Sequence, residues 1–264
     1  MTGKATKNPP DPGPEDSGLL SHLRELRGRI IKSLLAVAIG FAAAFNFSEE
    51  LLSLLVMPLR TVLPEGQKLI YTGLPDGFLV NLKIALWGGV FLSAPFWLYQ
   101  LWAFVAPGLY RSERRKVAGL AVSASVLLFA GAAFGYLLIF PLAFKFFVGF
   151  SNEMLTAMPA LGPYFSLATS LLLASGLVFQ LPLAIIFAAD LGLVTSTTLA
   201  KGRRYAILII AIVAAILTPP DVISQCLLGL PMMILYEISI RLVARKEKKA
   251  VAAEAEAETG APGS

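Results

Sequence analysis

Trp102-Ala103-Phe104-Val105-Ala106-Pro107-Gly108-Leu109-Tyr110-Arg111-Ser112-Glu113-Arg114-Arg115-Lys116 places one carboxylate among four cations, between two long apolar runs. Proline has no N–H to donate and disfavours helix at the residue before it, so the apolar segment is predicted to stop at Ala106, with Gly108 supplying the turn. Ser112 can then cap a second helix, with Glu113 in its first turn. The stretch reads as a charged hairpin between two apolar helices, and the rest of the chain is organised to present it.

Composition explains why those helices are apolar. A chain of 264 residues with 56% hydrophobic and 15% charged residues, and a mean hydropathy of +0.73, holds more apolar side chain than one soluble core needs. It is read as an all-α polytopic membrane protein. One cysteine, Cys226, excludes an intramolecular disulfide framework and a thiolate metal cluster; one histidine, His22, leaves little room for zinc or histidine catalysis. No metal and no cofactor is expected.

Working outward, residues 1–17 are rich in Pro, Gly, Lys and Asp and are predicted to be a disordered tail, with residues 18–249 forming one membrane domain and 250–264 a second disordered, Ala/Glu-rich tail. Spans are predicted at 30–47, 78–106, 117–140, 164–189, 205–217 and 222–240. The first covers about 27 Å as a helix, close to a hydrocarbon core of ~30 Å; the second, about 43 Å, should bend, with Pro95 as hinge. The fifth covers only about 20 Å and is conspicuously short. The third is predicted to end at Pro141. Between Leu217 and the sixth span, Thr218 is the expected cap, Pro219 the first helical position and Asp221 part of the first turn, with a kink at Pro231. Trp97, Tyr99 and Trp102 are expected to form an interfacial aromatic belt, and Lys83 to snorkel outward rather than mark an ion path. Ser48 to Gly77 reads as an ordered external loop carrying a short amphipathic piece, Glu49 to Met57.

Charge fixes the orientation. With both termini cytoplasmic, 18 of the 22 Lys and Arg lie on that side, only Arg60, Lys68 and Lys145 lie outside, and Lys83 sits within a span. The positive-inside rule therefore orients a six-span protein with both ends in the cytoplasm. The net charge of +5 is accordingly read as topology and lipid contact, not as nucleic-acid binding. No G-x-x-x-x-G-K-[ST], H-E-x-x-H or Ser/His/Asp set is present, so no enzyme is expected. A polar residue stands out within the fourth span, Gln180, in Phe179-Gln180-Leu181-Pro182. It can make an interhelical hydrogen bond beside a proline kink, or it can receive a partner's helix.

The hairpin pattern F-x-x-P-x-L-Y-x-x-E-R-R, from Phe104 to Arg115, resembles the TatC subunit of the twin-arginine protein translocase. His22-Leu23-Arg24-Glu25-Leu26-Arg27 is similar to that family's H-L-x-E-L-R lead-in, Pro58-Leu59 to its external-loop proline, and Leu217-Thr218-Pro219-Pro220-Asp221-Val222-Ile223-Ser224-Gln225 to its L-T-P-P-D-x-x-S-Q turn.

This resemblance implies a cupped six-helix bundle in a bacterial cytoplasmic (inner) membrane. Such a protein is the receptor core for twin-arginine signal peptides of folded cargo, works with single-span TatA-like and TatB-like proteins and the proton motive force, and is expected to self-associate. By resemblance, Glu113, Glu25, Arg27, Phe104 and Leu109 would bind the signal peptide. Gln180, Ile216, Leu217, Thr218 and Gln225 would line a partner-helix groove, while Pro58, Pro107, Pro219, Pro220 and Asp221 would shape structural turns. Residue chemistry alone leaves Glu113 open to a second reading, helix capping and surface pairing with its neighbours, and Glu25 to pairing with Arg29. A proton- or ion-coupled solute carrier and a non-transporting membrane scaffold are the alternative functions.

Overall fold

A long apolar run satisfies its backbone in lipid by coiling, because each N–H and C=O then finds a partner within the segment. The computed structural model describes residues 14–64, 67, 69–71, 73–105, 114–150, 158–218 and 221–259. Among these, helices follow one another with a single isolated bridge, Ile70 to Ala160, tying the connection after α2 to the one before α7. The helices are α1 (Pro14–Phe45), α2 (Ser48–Arg60), α3 (Asp76–Leu92), α4 (Ala94–Val105), α5 (Arg114–Phe134), a π turn (Gly135–Ile139), α6 (Phe140–Val148), α7 (Leu161–Val178), α8 (Leu181–Asp190), α9 (Ser196–Lys201), α10 (Arg203–Leu217) and α11 (Val222–Thr259).

Four stretches are long and apolar enough to cross a membrane: Leu20–Phe45, Val117–Val148, Leu161–Asp190 and Val222–Ala253; α3 and α4 make a fifth if they count as one span bent by 55°. Helix α10 has 15 residues, about 22 Å, and is shorter than a ~30 Å hydrocarbon core. Exposed side chains on these helices are apolar, among them Leu34 and Ile39 of α1, Val122 and Val126 of α5, and Ile209 and Ile212 of α10. A bilayer, and not water, is the solvent that suits them.

Two crossings hold the bundle together by letting backbones touch. A Cβ built on Gly89 of α3 would lie 2.4 Å from Phe41 N of α1, and one on Gly40 would lie 2.6 Å from Gly89 O. Likewise a Cβ on Gly131 of α5 would lie 2.5 Å from Ser175 O of α7. Close approach of this kind replaces hydrophobic drive, which is absent between helices in lipid, with dense packing. The main core joins Phe140 and Phe144 to Leu171, Leu228 and Met232, with Val56 and Leu59 of α2 closing one end.

Several boundaries differ from expectation. The second span breaks at Ser93 rather than Pro95, because the proline's missing N–H and its ring disrupt the turn before it. Trp97 Nε1 supplies a donor to Val90 O (3.0 Å), while Ser93 Oγ adds a bond (2.7 Å) to Gly89 O, which the Ser93 N–H already reaches at 3.0 Å. Trp97 and Trp102 are half-buried, Trp102 meeting Phe187 edge-on at 5.0 Å, while Tyr99 is exposed. Pro141 does not end the third span. The π turn absorbs it by bonding Phe140 N–H back to Gly135 O, and the proline falls in the first turn of α6, where no helical donor is needed.

Other differences are smaller. The fourth span is interrupted at Phe179–Gln180, just before Pro182. Pro58 lies inside helix α2 and is buried, so it is not a turn residue. Helix α1 begins at Pro14 and α11 continues to Thr259, both within tails expected to be disordered. Ala and Glu are strong helix formers, and extending an existing helix carries no nucleation cost. Thr218 does not cap the last helix. It ends α10, its hydroxyl donating to Ala214 O (2.8 Å), while Asp221 Oδ1 accepts the Ser224 N–H (2.6 Å) as the true N-cap of α11.

Candidate functional site

The start of α1 and the end of α4 converge on one end of the bundle, at the point from which the 106–113 segment departs. Glu25 and Arg29 lie one helical turn apart, so their side chains share a face. Arg29 donates to Glu25 Oε1 from Nε (3.0 Å) and from Nη2 (2.6 Å), and its Nη1 reaches Gln100 Oε1 on α4 at 3.4 Å. Gln100 is buried. One turn further along α4, Phe104 stacks on His22 with ring centroids 4.4 Å apart. Between the two helices runs a groove of about 350 Å³, lined by Leu26, Arg29, Ile30, Trp97, Gln100 and Phe104. Its wall is almost wholly apolar, with Arg29 and Gln100 bordering it one turn inside the Leu26–Phe104 mouth.

Of the expected signal-peptide residues, Glu25 and Phe104 are thus brought together. Arg27 is exposed on the same helix. Glu113, Leu109 and Pro107 lie outside the described residues. Arg29 was expected only as a partner for Glu25, and Gln100 was missed. Its signal was available: Asn81 and Gln100 are the two amides of the 78–106 run, and a buried amide in lipid needs a polar partner. Because the Glu25 side chain is 43% exposed, its pairing with Arg29 is a surface contact of about 0.3–0.5 kcal/mol.

The second set of expected residues is less unified. Gln180, at the α7–α8 break, donates from Nε2 to Ala124 O of α5 (3.0 Å), which is the interhelical reading. Gln225 likewise donates to Ala211 O (2.9 Å), bonding α11 to α10, and Thr218 is buried and spent on its own helix. Ile216, at 76% exposure, and Leu217 do line an open groove of about 420 Å³ with Trp87, Trp97, Leu173 and Leu177. Gln180 is not part of its wall. Pro219 and Pro220 lie outside the described residues.

Behind α10, the 190–204 connection is fastened to the charged extension of α11, beyond its apolar portion. Lys246 pairs with Asp190, and Glu247 accepts the Ser196 hydroxyl and, at 2.9 Å, the Ser196 N–H. Arg203 forks onto Glu237 at 2.6 and 3.1 Å. The hydroxyl and then the amide of Ser196 hold the Glu247 carboxyl below the usual glutamate range. Among the described residues, no three His, Cys, Asp or Glu side chains gather into a metal site.

The family model described as Sec-independent protein translocase protein (TatC) matches residues 21–231. A TatC protein of Desulforapulum autotrophicum is 46% identical over 226 residues, covering 86% of this chain and 84% of the relative. That of Escherichia coli K12 is 38% identical over 222 residues, covering 84% and 86%. A crystal structure of the twin-arginine translocase receptor TatC in DDM superposes with a TM-score of 0.76 at 35% identity, covering 84% of this chain and 99% of that one.

Proposed function

The chain belongs to the TatC family of Sec-independent protein translocase proteins, and on that premise we propose that its α1–α4 groove and the 106–113 hairpin read the twin arginines of cargo signal peptides. As a family member it is a multi-pass transport subunit of a translocase, not an enzyme, a solute carrier or a scaffold. The observation that carries the site is the pairing of Arg29 with Glu25 beside the His22–Phe104 stack. Two nitrogens of the chain's own Arg29 on one Glu25 oxygen support the reading that this carboxylate takes a guanidinium. A guanidinium offers two parallel N–H donors to a carboxylate, whereas an ammonium is a point charge, so Glu25 and Glu113 together favour RR over KK. Phe104 and Leu109 supply apolar contact, and Arg27 helps set the local field.

In this reading six spans place both termini in the cytoplasm of a bacterium, with the groove opening on that face. The pathway is driven by the proton motive force. TatA-like or TatB-like helices dock at Ile216 and Leu217, where α10 is too short to span the bilayer and a local thinning is inexpensive. Gln180, bonded to α5, supports the bundle behind that groove.

Binding of a signal peptide to purified, correctly folded variants tests the site. Glu113→Ala is expected to weaken RR-peptide binding about 30-fold, the loss of ~2 kcal/mol that follows removal of one partner of a desolvated charge pair. Glu25→Ala should weaken it less, because its carboxylate is half-exposed. Wild-type affinity in both, with the RR over KK preference intact, would reject the assignment.

A further inference from the structure

Helix α2 contains a proline in its interior, Pro58. With no N–H at position 58, the carbonyl four residues earlier, Leu54 O, loses its helical donor. A donor arrives from another part of the chain: Tyr136 Oη bonds to Leu54 O at 2.7 Å. Tyr136 is the second residue of the π turn Gly135–Ile139. A π turn accommodates one extra residue and so swings the side chains within it around the helix axis. That turn is seated firmly, since a Cβ on Gly135 would lie 2.6 Å from Ser175 Oγ of α7.

The neighbouring contact has a different logic. Tyr164 Oη donates to Leu55 O at 2.5 Å, but that carbonyl keeps its helical donor, the Leu59 N–H. One tyrosine adds a bond; the other replaces a missing one. Beneath α2 lies an apolar cavity of about 280 Å³ whose wall includes Leu51, Leu54, Leu55, Trp87, Phe129 and Tyr136.

We propose that Pro58, the π turn and Tyr136 are one latch: the proline frees a carbonyl on α2, and the tyrosine, aimed by the wide turn, closes it and holds α2 across the mouth of this cavity. Tyr164 fastens the same helix independently of the proline. This pairing makes a specific claim about coupling, because restoring the N–H at position 58 removes the need for Tyr136.

A double-mutant cycle in the full-length protein, read by amide exchange of residues 48–60 in detergent, tests it. Tyr136→Phe is expected to speed α2 exchange about five-fold or more, the effect of stranding one acceptor. In the Pro58→Ala background the same change should have less than about a two-fold effect, whereas Tyr164→Phe should act equally in both backgrounds. If Pro58→Ala itself exchanges too fast to read, the coupling is taken from thermal unfolding of the same four proteins. Equal effects of Tyr136→Phe with and without Pro58, or no effect in either, would overturn the latch.

Discussion

Gln180 shows how one side chain can tie two helices of the bundle together. Its amide sits in the break between α7 and α8 and donates to Ala124 O, a carbonyl on a helix separated from it by 56 positions in sequence. Replacement by leucine keeps most of the volume and deletes the bond. We expect Gln180→Leu to destabilise the protein by about 1 kcal/mol, measured by thermal unfolding in detergent; an unchanged midpoint would show that the bond contributes nothing. The sequence drew attention to this residue because it is polar in an apolar run, yet it left both readings open, since nothing in a linear string says which backbone faces it. Asp221 and Thr218 illustrate the same limit. Either can cap a helix in Thr-Pro-Pro-Asp, and the outcome turned on which side chain had a closer use, Thr218 finding Ala214 O one turn back.

At the scale of helices, existence was legible and continuity was not. Hydropathy located each apolar run, but breaks follow from prolines acting together with whatever repairs the carbonyls they free. Trp97 supplies a donor to Val90 O at the end of α3, and a π turn carries the third span through Pro141. The α1–α3 contact depends on Gly40 and Gly89, and spacing alone could not pair glycines from different runs. A methyl on Gly89 would press on Phe41 N, and both neighbours are backbone, so the helices must separate. Gly89→Ala is expected to cost about 1–3 kcal/mol and to lower the yield of folded protein, whereas Gly119→Ala, with open space around it, should behave as wild type. The Glu247–Ser196 contact makes a second prediction at this scale. A carboxyl whose folded pKa is lowered contributes stability above the ordinary glutamate range and loses it as pH falls through the lowered value. Protection of the Ser196 amide, corrected for intrinsic exchange, should therefore fall on acidification, and Glu247→Gln should remove that dependence.

For the molecule as a whole, charge asymmetry carries the topology. The four long stretches and the bent α3–α4 pair counted as one span, together with the short α10, give six passes only if the bilayer adapts to α10. With Cys226 replaced by serine, cysteines at Ser112, Ser196 and Lys248 should be shielded from impermeant thiol reagents added to intact cells, and those at Glu65 and Asn152 should react; outside labelling at Ser112 would invert the orientation. The site follows from that orientation. Glu25 and Phe104 were legible because both sit in motifs, whereas the Arg29–Gln100 contact that ties α1 to α4 spans 71 positions and is visible only once the helices are packed.

The central claim is that one end of α1 and α4, with the 106–113 segment that follows α4, receives the arginines of a signal peptide. A photo-crosslinking residue placed at Phe104 or Leu109, with one at Leu74 as a control at 96% exposure on the opposite face, tests this directly. The account predicts crosslinks to an RR signal peptide at Phe104 and Leu109, their loss when both arginines become lysine, and none at Leu74. Crosslinks that are indifferent to RR versus KK, or that form at Leu74 and not at Phe104 or Leu109, would contradict it.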